Sequence, residues 1–505
     1  MDKYYITTAI AYTSGKPHIG NCYDAVLADA IARFKKLQGY DVHFQTGTDE
    51  HGIKIQEKAE AAGITPKEYV DGISAEVKRI YDLLGVDYDV FMRTTDEDHE
   101  RIVQKIFKKM YDNGDIYKGE YNGLYCTPCE AFWTETQLVD GKCPDCGRDV
   151  HPEKEECYFF KLSKYQDRLE DLFKNHSDFL KPESRVNEMY NNFIKPGIQD
   201  LCVSRTSFSW GIPVDFDPKH VVYVWLDALT NYITKIGYDP DGSSEEFNKL
   251  WPCDLHVIGK DIVRFHSIYW PCFLWSLGLE LPKKIFGHPW VLTGNDKMSK
   301  SKGNVIYADE YAEEFGLDTV RYYLLHEVSQ TQDGNITREQ FIEKVNIDLA
   351  NTLGNLVQRT ISMGNKYFEG KITNKKVVED VDIEFINNIN SLYDKVANKM
   401  DTLFIADAFD EIFKVLRASN KYIDETTPWF LAKDESKLDR LETVLYNLLE
   451  SIRVCGRLLS VFIPTTSEKI ASQLGNTRSE LSYIEDNNYS LNTPEALFKR
   501  IEVEK

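Results

Sequence analysis

Residues 4–46 read YYITTAIAYTSGKPHIGNCYDAVLADAIARFKKLQGYDVHFQT. Residues 4–12 are rich in β-branched and aromatic side chains, which favours a strand. Residues 13–17 form a breaker cluster that contains a glycine and a proline. Apolar residues then recur every three or four positions up to Leu37, which indicates an amphipathic helix, and Val42–Thr46 is predicted as the next strand. This β-α-β unit predicts an α/β fold whose parallel sheet has a right-handed crossover.

The length and the charge of the chain limit the possible functions. Its 505 residues suggest about three domains. A hydrophobic content of 42% is enough for packed cores and excludes a wholly disordered chain. The net charge of −21 disfavours nonspecific binding of nucleic acid over the whole surface. Any nucleic acid must therefore be bound through local, specific contacts.

The sequence contains no recognisable targeting or membrane segment. Its first residues lack the basic stretch, apolar run and small-residue cleavage site of a signal peptide. The most hydrophobic run, between His266 and Glu280, has 13 residues, whereas a membrane span needs about 18. We therefore expect a cytoplasmic protein without a membrane partner, and a monomer for the chain as it stands.

Two later regions depart from the first pattern. Residues 116–222 contain a cysteine cluster and many polar turns, and we interpret them as an insertion between two halves of a nucleotide-binding fold. Strand-like runs return at Val221–Trp225 and Leu255–Ile258. From about residue 340 helical periodicity dominates, which predicts a separate helical bundle. The residues that carry this periodicity are Val345, Leu349, Leu353, Leu356, Ile361, Ile412, Leu416, Leu445, Leu448, Ile452 and Leu458.

The first β-α turn carries the sequence Pro17-His18-Ile19-Gly20-Asn21. His18 and Asn21 share a face of the first helical turn, and both can donate hydrogen bonds. Free backbone amides and the helix dipole favour an anion there, and Gly20 allows a ligand to approach the backbone. The turn matches neither the dinucleotide nor the P-loop glycine pattern, which disfavours both classes. An ordinary solvent-exposed histidine is the alternative.

A second motif with phosphate-binding character is KMSKSKGN, residues 297–304. Three lysines on a glycine-containing loop suit a polyphosphate whose charge must be held in the transition state. A solvated basic loop is the alternative. Together with the first turn, this motif resembles the HIGH and KMSKS signatures of the class I aminoacyl-tRNA synthetases. Asn21 stands where that family usually has its second histidine, and asparagine can donate a hydrogen bond but cannot be charged.

Further motifs are similar to the methionyl-tRNA synthetase family across nearly the whole chain. They are Ala9-Ile10-Ala11-Tyr12, Trp225-Leu226-Asp227-Ala228 and the block from Gly259 to His266. The resemblance implies a methionine pocket lined by Ala9, Ile10, Tyr12, Trp225, Ala228, Tyr232, Ile262 and His266. A thioether is polarisable and suits aromatic walls with weak hydrogen bonds. Ordinary core aromatic residues are the alternative.

The same resemblance implies the polar contacts of the substrates. Asp49 would hold the ammonium group of methionine and Arg205 its carboxylate, with surface ion pairs as the alternative for both. ATP would be contacted by His18, Gly20, Asn21, Gly259, Asp261, Lys297 and Lys300. Of these, the residues that act on the triphosphate in catalysis would be His18, Asn21, Lys297 and Lys300.

Four cysteines follow the pattern C-x2-C-x13-C-x2-C, at Cys126, Cys129, Cys143 and Cys146. This spacing is a strong zinc signal. Four thiolates close the tetrahedral shell, so the spacing predicts one structural Zn²⁺ per chain. A cysteinyl-tRNA synthetase would instead need an open position for the substrate thiol. Unligated cysteines or disulfides are the alternative, and iron can occupy the same ligand set.

The resemblance also implies a binding surface for the tRNA anticodon. Asn355 and Arg359 lie four residues apart on one predicted helix face, and they match anticodon-reading positions of the family together with Trp429. Asparagine and arginine can read base edges in an unstacked loop, and an aromatic ring can stack beneath a base. A solvated polar pair is the alternative.

The implied architecture is a Rossmann-like nucleotide-binding domain with a zinc-knuckle insertion and a C-terminal helical bundle. Its segments are the first half of the catalytic domain (1–115), the connective insertion (116–222), the second half (223–290), the KMSKS loop and stem-contact region (291–348) and the anticodon-binding domain (349–505).

The implied activity is the ATP-dependent activation of methionine, with Mg²⁺ accompanying ATP, followed by methionyl transfer to the 3′-terminal ribose of initiator and elongator tRNA(Met). Neither step demands a protein nucleophile. A synthetase for another apolar amino acid is a second possibility, but residues 116–222 are too few for the long editing insertion of those enzymes. An inactive zinc-bearing RNA-binding protein and a small nucleotidyltransferase are further alternatives; the intact lysine motif disfavours both.

Overall fold

The computed structural model describes residues 2–129, 131–133, 135–144, 146–294, 296–298, 303–475 and 478–502. The chain divides into two compact units, Met1–Pro289 and Trp290–Lys505. None of the described helices combines the length and the apolar character that crossing a bilayer requires.

The first unit combines strands and helices. Its strands are β1 (Lys3–Thr8), β2 (Ala11–Tyr12), β3 (Asp41–Asp49), β4 (Val90–Arg93), β5 (Ile116–Cys126), β6 (Ala131–Trp133), β7 (His151–Phe160), β8 (Leu180–Lys181), β9 (Leu201–Cys202), β10 (Ser204–Arg205), β11 (Val221–Val222), β12 (Leu255–Gly259) and β13 (Ile285–His288). Its helices are α1 (Tyr23–Leu37), α2 (Ile53–Ala62), α3 (Pro66–Leu83), α4 (Glu97–Asp112), α5 (Gln166–Asn175), α6 (Glu183–Met189), α7 (Val224–Thr234), α8 (Glu245–Leu250) and α9 (Trp270–Leu277).

The main sheet of this unit has the strand order β2-β3-β1-β12-β13-β8, with β4 also paired to β3. Neighbouring strands are parallel throughout. The central strands β1, β12 and β13 are buried over most of their length on both faces. Such two-sided burial is typical of a parallel sheet covered by helices. The predicted α/β fold with a parallel sheet is therefore confirmed.

Two predicted strands differ from the observed ones. The strand predicted over residues 4–12 ends at Thr8 and resumes at Ala11: β1 pairs with β12 and β3, whereas Ala11 and Tyr12 form a separate short strand beside the end of β3. The strand predicted over Val221–Trp225 ends at Val222. Helix α7 begins two residues later, since Tyr223 takes the extended conformation of an N-cap residue.

The cysteine-containing region builds an antiparallel sheet of order β6-β5-β7-β9. The β5–β7 ladder runs from the pair Ile116–Phe160 to the pair Tyr125–His151, so that it carries the cysteines at its far end. The same region returns one strand, β8, to the edge of the main sheet beside β13.

The second unit is mainly helical. Its strands are β14 (Val291–Leu292), β15 (Gly334–Asn335), β16 (Lys371–Thr373) and β17 (Asn488–Ser490). Its helices are α10 (Ala308–Phe315), α11 (Leu317–Tyr322), α12 (Arg338–Lys344), α13 (Asn355–Phe368), α14 (Asp380–Asn390), α15 (Leu392–Asp401), α16 (Ile405–Thr426), α17 (Pro428–Leu431), α18 (Leu438–Leu459) and α19 (Pro464–Leu474).

Helix α18 is the centre of this second unit and is buried along almost its whole length. Every apolar residue from which the helical periodicity was inferred is buried, which confirms the predicted helical region. The charged residues of α18 are buried only in pairs. The Arg440 guanidinium contacts both carboxylate oxygens of Asp382, at 2.5 and 2.9 Å, and Arg453 pairs with Glu450 at 2.7 Å. Such pairing keeps a buried charge from being left without a partner.

Candidate active site

The turn between β2 and α1 is a single 3₁₀ turn, Ile19–Asn21, that is capped by His18. The backbone N–H of His18 donates to Oδ1 of Asn21 at 3.2 Å, and the N–H of Asn21 donates to the carbonyl of His18 at 2.8 Å. The fully buried Ile19 anchors the turn in the core. Because the side-chain oxygen of Asn21 faces the backbone, its NH₂ group is the part that can donate to a ligand. Asparagine here therefore shapes the turn as well as offering a donor.

Helix α7 and the segment after β12 meet at the hydroxyl of Tyr232. Its Oη lies 2.8 Å from Nε2 of His266, whose Nδ1 lies 3.0 Å from the carbonyl oxygen of Ile262. A carbonyl can only accept, so Nδ1 carries the proton and Nε2 accepts from the tyrosine. Burial lowers the pKa of His266 to about 4, so that the imidazole is neutral at physiological pH. The structure thus brings together three of the predicted pocket residues in one defined protonation state.

The predicted pocket also has a stacked aromatic wall. The rings of Trp225 and Phe265 are parallel, with centroids 3.7 Å apart, and Trp225 also meets the edge of His266 at 6.3 Å. The sequence interpretation identified Trp225 and His266 but missed Phe265, which stands beside an apolar run and has no feature that distinguishes it from a core residue. Ala228 lies one turn along α7 from Trp225 and is buried.

The end of β3 brings two further predicted residues together. Tyr12 of β2 is the direct register partner of Asp49 of β3. Thr13 donates both its backbone N–H and its hydroxyl to the carbonyl of Asp49, each at 3.0 Å. The carboxylate of Asp49 therefore stands on a backbone that is fixed from two sides, at the carboxyl edge of the parallel sheet, where ligands bind in open α/β folds.

A polar cluster that the sequence interpretation missed includes His51, two residues after Asp49. Asp227 of α7 contacts Nδ1 of His51 at 2.7 Å and Nε2 of His99 at 2.7 Å. His99 also contacts the hydroxyl of Thr234 at 2.7 Å. Burial lowers the pKa of His51, but the charge and hydrogen bond of Asp227 outweigh it and raise the pKa to about 10. This cluster ties the segment after β3 to α4 and α7.

Gly259 is the last residue of β12 and Asp261 lies two residues after it; the family resemblance assigns both to ATP. A Cβ atom at position 259 would lie 2.7 Å from Oδ1 of Asp261, so any larger residue there would push that carboxylate out of its present position. At the start of α1, burial raises the pKa of Asp24 to about 7, and the charge of Asp261 adds to that shift. The carboxyl groups of Asp24 and Asp261 therefore interact electrostatically across the start of α1, and the negative charge of Asp261 disfavours ionisation of Asp24.

Arg205 lies in β10 of the insertion and is 1% exposed. Its Nε donates to Glu155 at 2.8 Å, one NH₂ group donates to Ser207 at 2.9 Å, and the guanidinium faces the ring of Tyr125 at 4.3 Å. The contacts described for Arg205 thus belong to the insertion. Its role as the carboxylate partner of methionine stays a prediction.

The lysine motif belongs to the second unit. The ammonium group of Lys297 stands over the ring of Trp290, 3.3 Å from its centroid, and Asn304 donates its side-chain amide to the carbonyl of Lys297 at 3.3 Å. Lys300 lies outside the described residues. Its role stays a prediction.

The sulfur atoms of Cys126, Cys129, Cys143 and Cys146 lie within 4.8 Å of one another. The pairs Cys126–Cys146 and Cys129–Cys143 are separated by 3.6 and 3.9 Å. A tetrahedral zinc ion with bonds of about 2.3 Å would place its sulfur ligands about 3.8 Å apart, whereas a disulfide needs a separation of about 2 Å. The cluster therefore fits a four-coordinate thiolate metal, and it excludes disulfides among these cysteines.

The predicted anticodon residues lie on exposed parts of the second unit. Asn355 and Arg359 are exposed on α13, and Trp429 on α17 is 37% exposed. Asn420 of α16 donates its side-chain amide to the carbonyl of Thr352 at 3.1 Å, which fixes α16 against the segment that leads into α13. Since α17 follows α16 directly, both predicted elements are attached to the same helix.

Comparisons with known proteins agree with these features. The family described as "tRNA synthetases class I (M)" matches residues 4–152 and 148–361, and the "Anticodon-binding domain of tRNA ligase" matches residues 382–503. The chain is 57% identical to the methionine–tRNA ligase of Clostridium acetobutylicum, over 100% of this chain and 79% of that protein. It is 47% identical to the Bacillus subtilis ligase, over 99% and 78%. Mycobacterium tuberculosis methionyl-tRNA synthetase in complex with methionyl-adenylate superposes with a TM-score of 0.94 at 41% identity, over 99% of this chain and 100% of that one.

Proposed function

The chain belongs to the class I methionyl-tRNA synthetases, and on that premise we propose that it activates L-methionine with ATP and transfers the methionyl group to tRNA. The observation that carries the substrate choice is the buried pair of Tyr232 and His266 beside the stacked Trp225. A neutral imidazole with a fixed tautomer, set against aromatic faces, suits an uncharged polarisable thioether. A charged side chain would be desolvated there without a counter-charge.

The methionine site is assigned to residues that surround this pair. The apolar and aromatic walls are formed by Ala9, Ile10, Tyr12, Trp225, Ala228, Tyr232, Ile262 and His266. Asp49 holds the substrate ammonium and Arg205 takes its carboxylate. Since methionine carries both charges on one end, this arrangement fixes the orientation of its carboxylate for reaction.

In the first step, an oxygen of the methionine carboxylate attacks the α-phosphorus of ATP, and the bond to pyrophosphate breaks. In the second step, the terminal ribose hydroxyl of initiator or elongator tRNA(Met) attacks the acyl carbon, and AMP leaves. ATP, which enters with Mg²⁺, is assigned to His18, Gly20, Asn21, Gly259, Asp261, Lys297 and Lys300. These residues orient and neutralise charge, so no covalent protein intermediate is needed.

Zn²⁺ is assigned to the four cysteines of the insertion, whose sulfur spacing fits a tetrahedral ion. When bound, it supplies a structural crosslink and no open coordination position. The end of the β5–β7 hairpin is fixed against Trp133 by the thiols of Cys126, Cys129, Cys143 and Cys146. Trp133 packs on two of these residues, the buried Cys126 and Cys143.

The tRNA anticodon is assigned to Asn355, Arg359 and Trp429 in the helical domain. The proposed division of labour follows the segments 1–115 and 223–290 for catalysis, 116–222 for the zinc-bearing insertion, 291–348 for the lysine loop and stem, and 349–505 for the anticodon. A cytoplasmic location and a monomeric state are part of the same proposal, and light scattering of the purified chain would check the latter.

The deciding experiment is amino-acid-dependent ATP–pyrophosphate exchange with all twenty amino acids, without tRNA. We expect exchange with methionine alone. Exchange with another amino acid would overturn the pocket assignment but keep the activation chemistry. No exchange with any amino acid, from a protein that still binds tRNA, would overturn the enzymatic function.

A further inference from the structure

Arg264 is an arginine that the methionine pocket does not include, although it stands next to the pocket wall. It is only 7% exposed, and its guanidinium faces a set of aromatic rings. The ring centroids lie 4.3 Å away for Trp133, 4.8 Å for Phe265, 5.1 Å for Phe193 and 5.8 Å for Tyr269. These distances are all within the range of a cation–π contact, which is strongest when desolvated.

The rings that contact Arg264 belong to different parts of the unit. Phe265 stacks on Trp225 of the proposed methionine pocket with centroids 3.7 Å apart. Trp133 belongs to β6 of the insertion and packs in a buried cluster with Cys126 and Cys143. The guanidinium therefore stands in a continuous line of contacts from the cysteine cluster to the pocket wall.

We infer that Arg264 is a positioning residue for methionine binding, which couples the metal-bearing end of the insertion to the stacked wall of the pocket. This inference rests on the proposed function. It gives the insertion a role in substrate affinity, in addition to holding a metal. Trp133 is buried against the cysteine cluster, so the ring with which the insertion contacts Arg264 is itself held by packing.

The position of Arg264 in the chain strengthens the coupling. It lies between Ile262, whose carbonyl accepts from His266, and the turn Phe265–Tyr269 that carries His266 itself. A shift of the arginine therefore also moves the hydrogen bond that fixes the histidine tautomer. A planar guanidinium can face rings on both sides, whereas a lysine ammonium is a point charge on a flexible stem.

The test uses Arg264→Met, which keeps the length of the side chain and removes its charge and plane. We expect KM for methionine to rise about thirtyfold, the effect of losing one desolvated cation–π contact of about 2 kcal/mol. The kcat of pyrophosphate exchange and KM for ATP should stay within about twofold, because the variant does not touch the chemistry. Equilibrium titration of methionine, followed by tryptophan fluorescence, should show the same loss of affinity. Arg264→Lys should recover part of it.

The matched control is Arg168→Met. Arg168 also faces an aromatic ring, that of Trp275 at 4.2 Å, but it is exposed on α5. This control should leave KM for methionine unchanged. Equal KM increases in Arg168→Met and Arg264→Met would show a general loss of stability and would overturn the positioning role.

The coupling itself is tested by a double-mutant cycle with Trp133→Leu, or with Trp133→Phe if the leucine variant does not fold. If one line of contacts connects Arg264 and Trp133, their effects should not add. The double variant should then bind methionine no worse than the single variant that has the lower methionine affinity. Additive losses would overturn the coupling. Zinc content, measured by atomic emission, should stay at one per chain in Arg264→Met, so that a loss of affinity is not a loss of metal.

The outcomes separate this inference from the proposed function. A wild-type chain that exchanges pyrophosphate with methionine, together with an Arg264→Met variant of unchanged methionine affinity, overturns the inference alone. A wild-type chain that exchanges with no amino acid overturns the proposed function as well.

Discussion

The proposed methionine pocket and the proposed anticodon surface are built in opposite ways. Tyr232 and His266 are each 2% exposed and are fixed by hydrogen bonds to each other and to the backbone. Trp429 is 37% exposed, and Asn355 and Arg359 lie on the open face of a helix. A small ligand must be enclosed by groups that are already in place, whereas an RNA loop brings its own bases to a surface on which they can stack.

The difference teaches where substitutions should have their effects. In the pocket Tyr232 and His266 are each other's hydrogen-bond partners, so that removing one leaves the other unsatisfied in the interior. On the anticodon surface a side chain can be removed without leaving a buried group alone. Changes in the pocket should therefore affect activation, and changes on the surface should affect only tRNA charging.

The largest effect is expected from Asp49→Asn, which removes the charge opposite the substrate ammonium but keeps the shape. We expect kcat/KM for methionine to fall about a thousandfold, because an ion pair in a closed site loses one partner. Asp41→Asn, at the exposed start of the same strand, is the control and should behave like the wild type. A fall of less than tenfold in Asp49→Asn would show that the pocket does not depend on this charge.

A second large effect concerns stability at acid pH. Because the pKa of His266 is lowered to about 4 in the folded chain, unfolded His266 takes up a proton below about pH 6.5 while the folded residue stays neutral. Stability should therefore fall as the pH drops from 6.5 towards 4, by about 3 kcal/mol for this residue. Urea unfolding between these pH values should show a smaller decrease in His266→Asn. Identical pH dependence in the two proteins would contradict the buried neutral state.

His51 should give the opposite pH dependence of folding stability, on the alkaline side. It lies outside the pocket wall. Its raised pKa of about 10 means that its pairing with Asp227 stabilises the fold below pH 6.5 and that this contribution is lost as the pH rises through 10. His51→Gln should flatten the alkaline side of the same profile. An unchanged alkaline side would argue against the charged pair.

A smaller effect is expected from Tyr232→Phe. The change removes the hydroxyl that donates to His266 and leaves a buried ring nitrogen without its donor, at a cost of about 2 kcal/mol. This corresponds to about a thirtyfold loss of kcat/KM for methionine. Tyr238→Phe removes another buried tyrosine hydroxyl away from this pair and is the control. Equal losses in both variants would point to stability in place of substrate contact.

The smallest effect should come from the exposed surface. Trp429→Ala removes one stacking platform and should lower kcat/KM for tRNA about tenfold. Pyrophosphate exchange should not change. The neighbouring Phe430 is 59% exposed, and Phe430→Ala is a matched control that should charge tRNA normally. If both variants lose charging equally, Trp429 is not the specific platform, and if exchange falls as well, the contrast between the two regions fails.

The sequence predicts the scaffold better than the contacts within it. The β-α-β unit follows from local periodicity and breakers, and the helical region follows from apolar residues that all prove to be buried. The prediction that a strand continues to Trp225 is wrong. The β-branched residues there favour a strand, but Tyr223 takes the N-cap position and a helix begins after it. A sequence pattern of this kind extends over only a few residues. It therefore predicts helices and strands, but not the side-chain contacts between them.

The pocket shows that limit at particular residues. Tyr232 and His266 are 34 positions apart, and His99 and Asp227 are 128 apart. No spacing rule connects such residues, and the first pair was predicted only through family resemblance. Phe265 and Arg264 stand beside an apolar run, and their roles become visible only when the partner rings are in place.

The length of the β5–β7 ladder also sets how far the cysteine end lies from the start of the insertion. The ladder counts off register pairs from Ile116–Phe160 to Tyr125–His151 at about 3.4 Å per step. Deleting two residues from each strand would draw the cysteine end inwards by about 7 Å and would keep its side chains on the same face of the sheet. Deleting one from each would move them to the opposite face. Matched insertions or deletions of two residues in each strand should therefore be tolerated, whereas those of odd size should disrupt the contacts of the cysteine end.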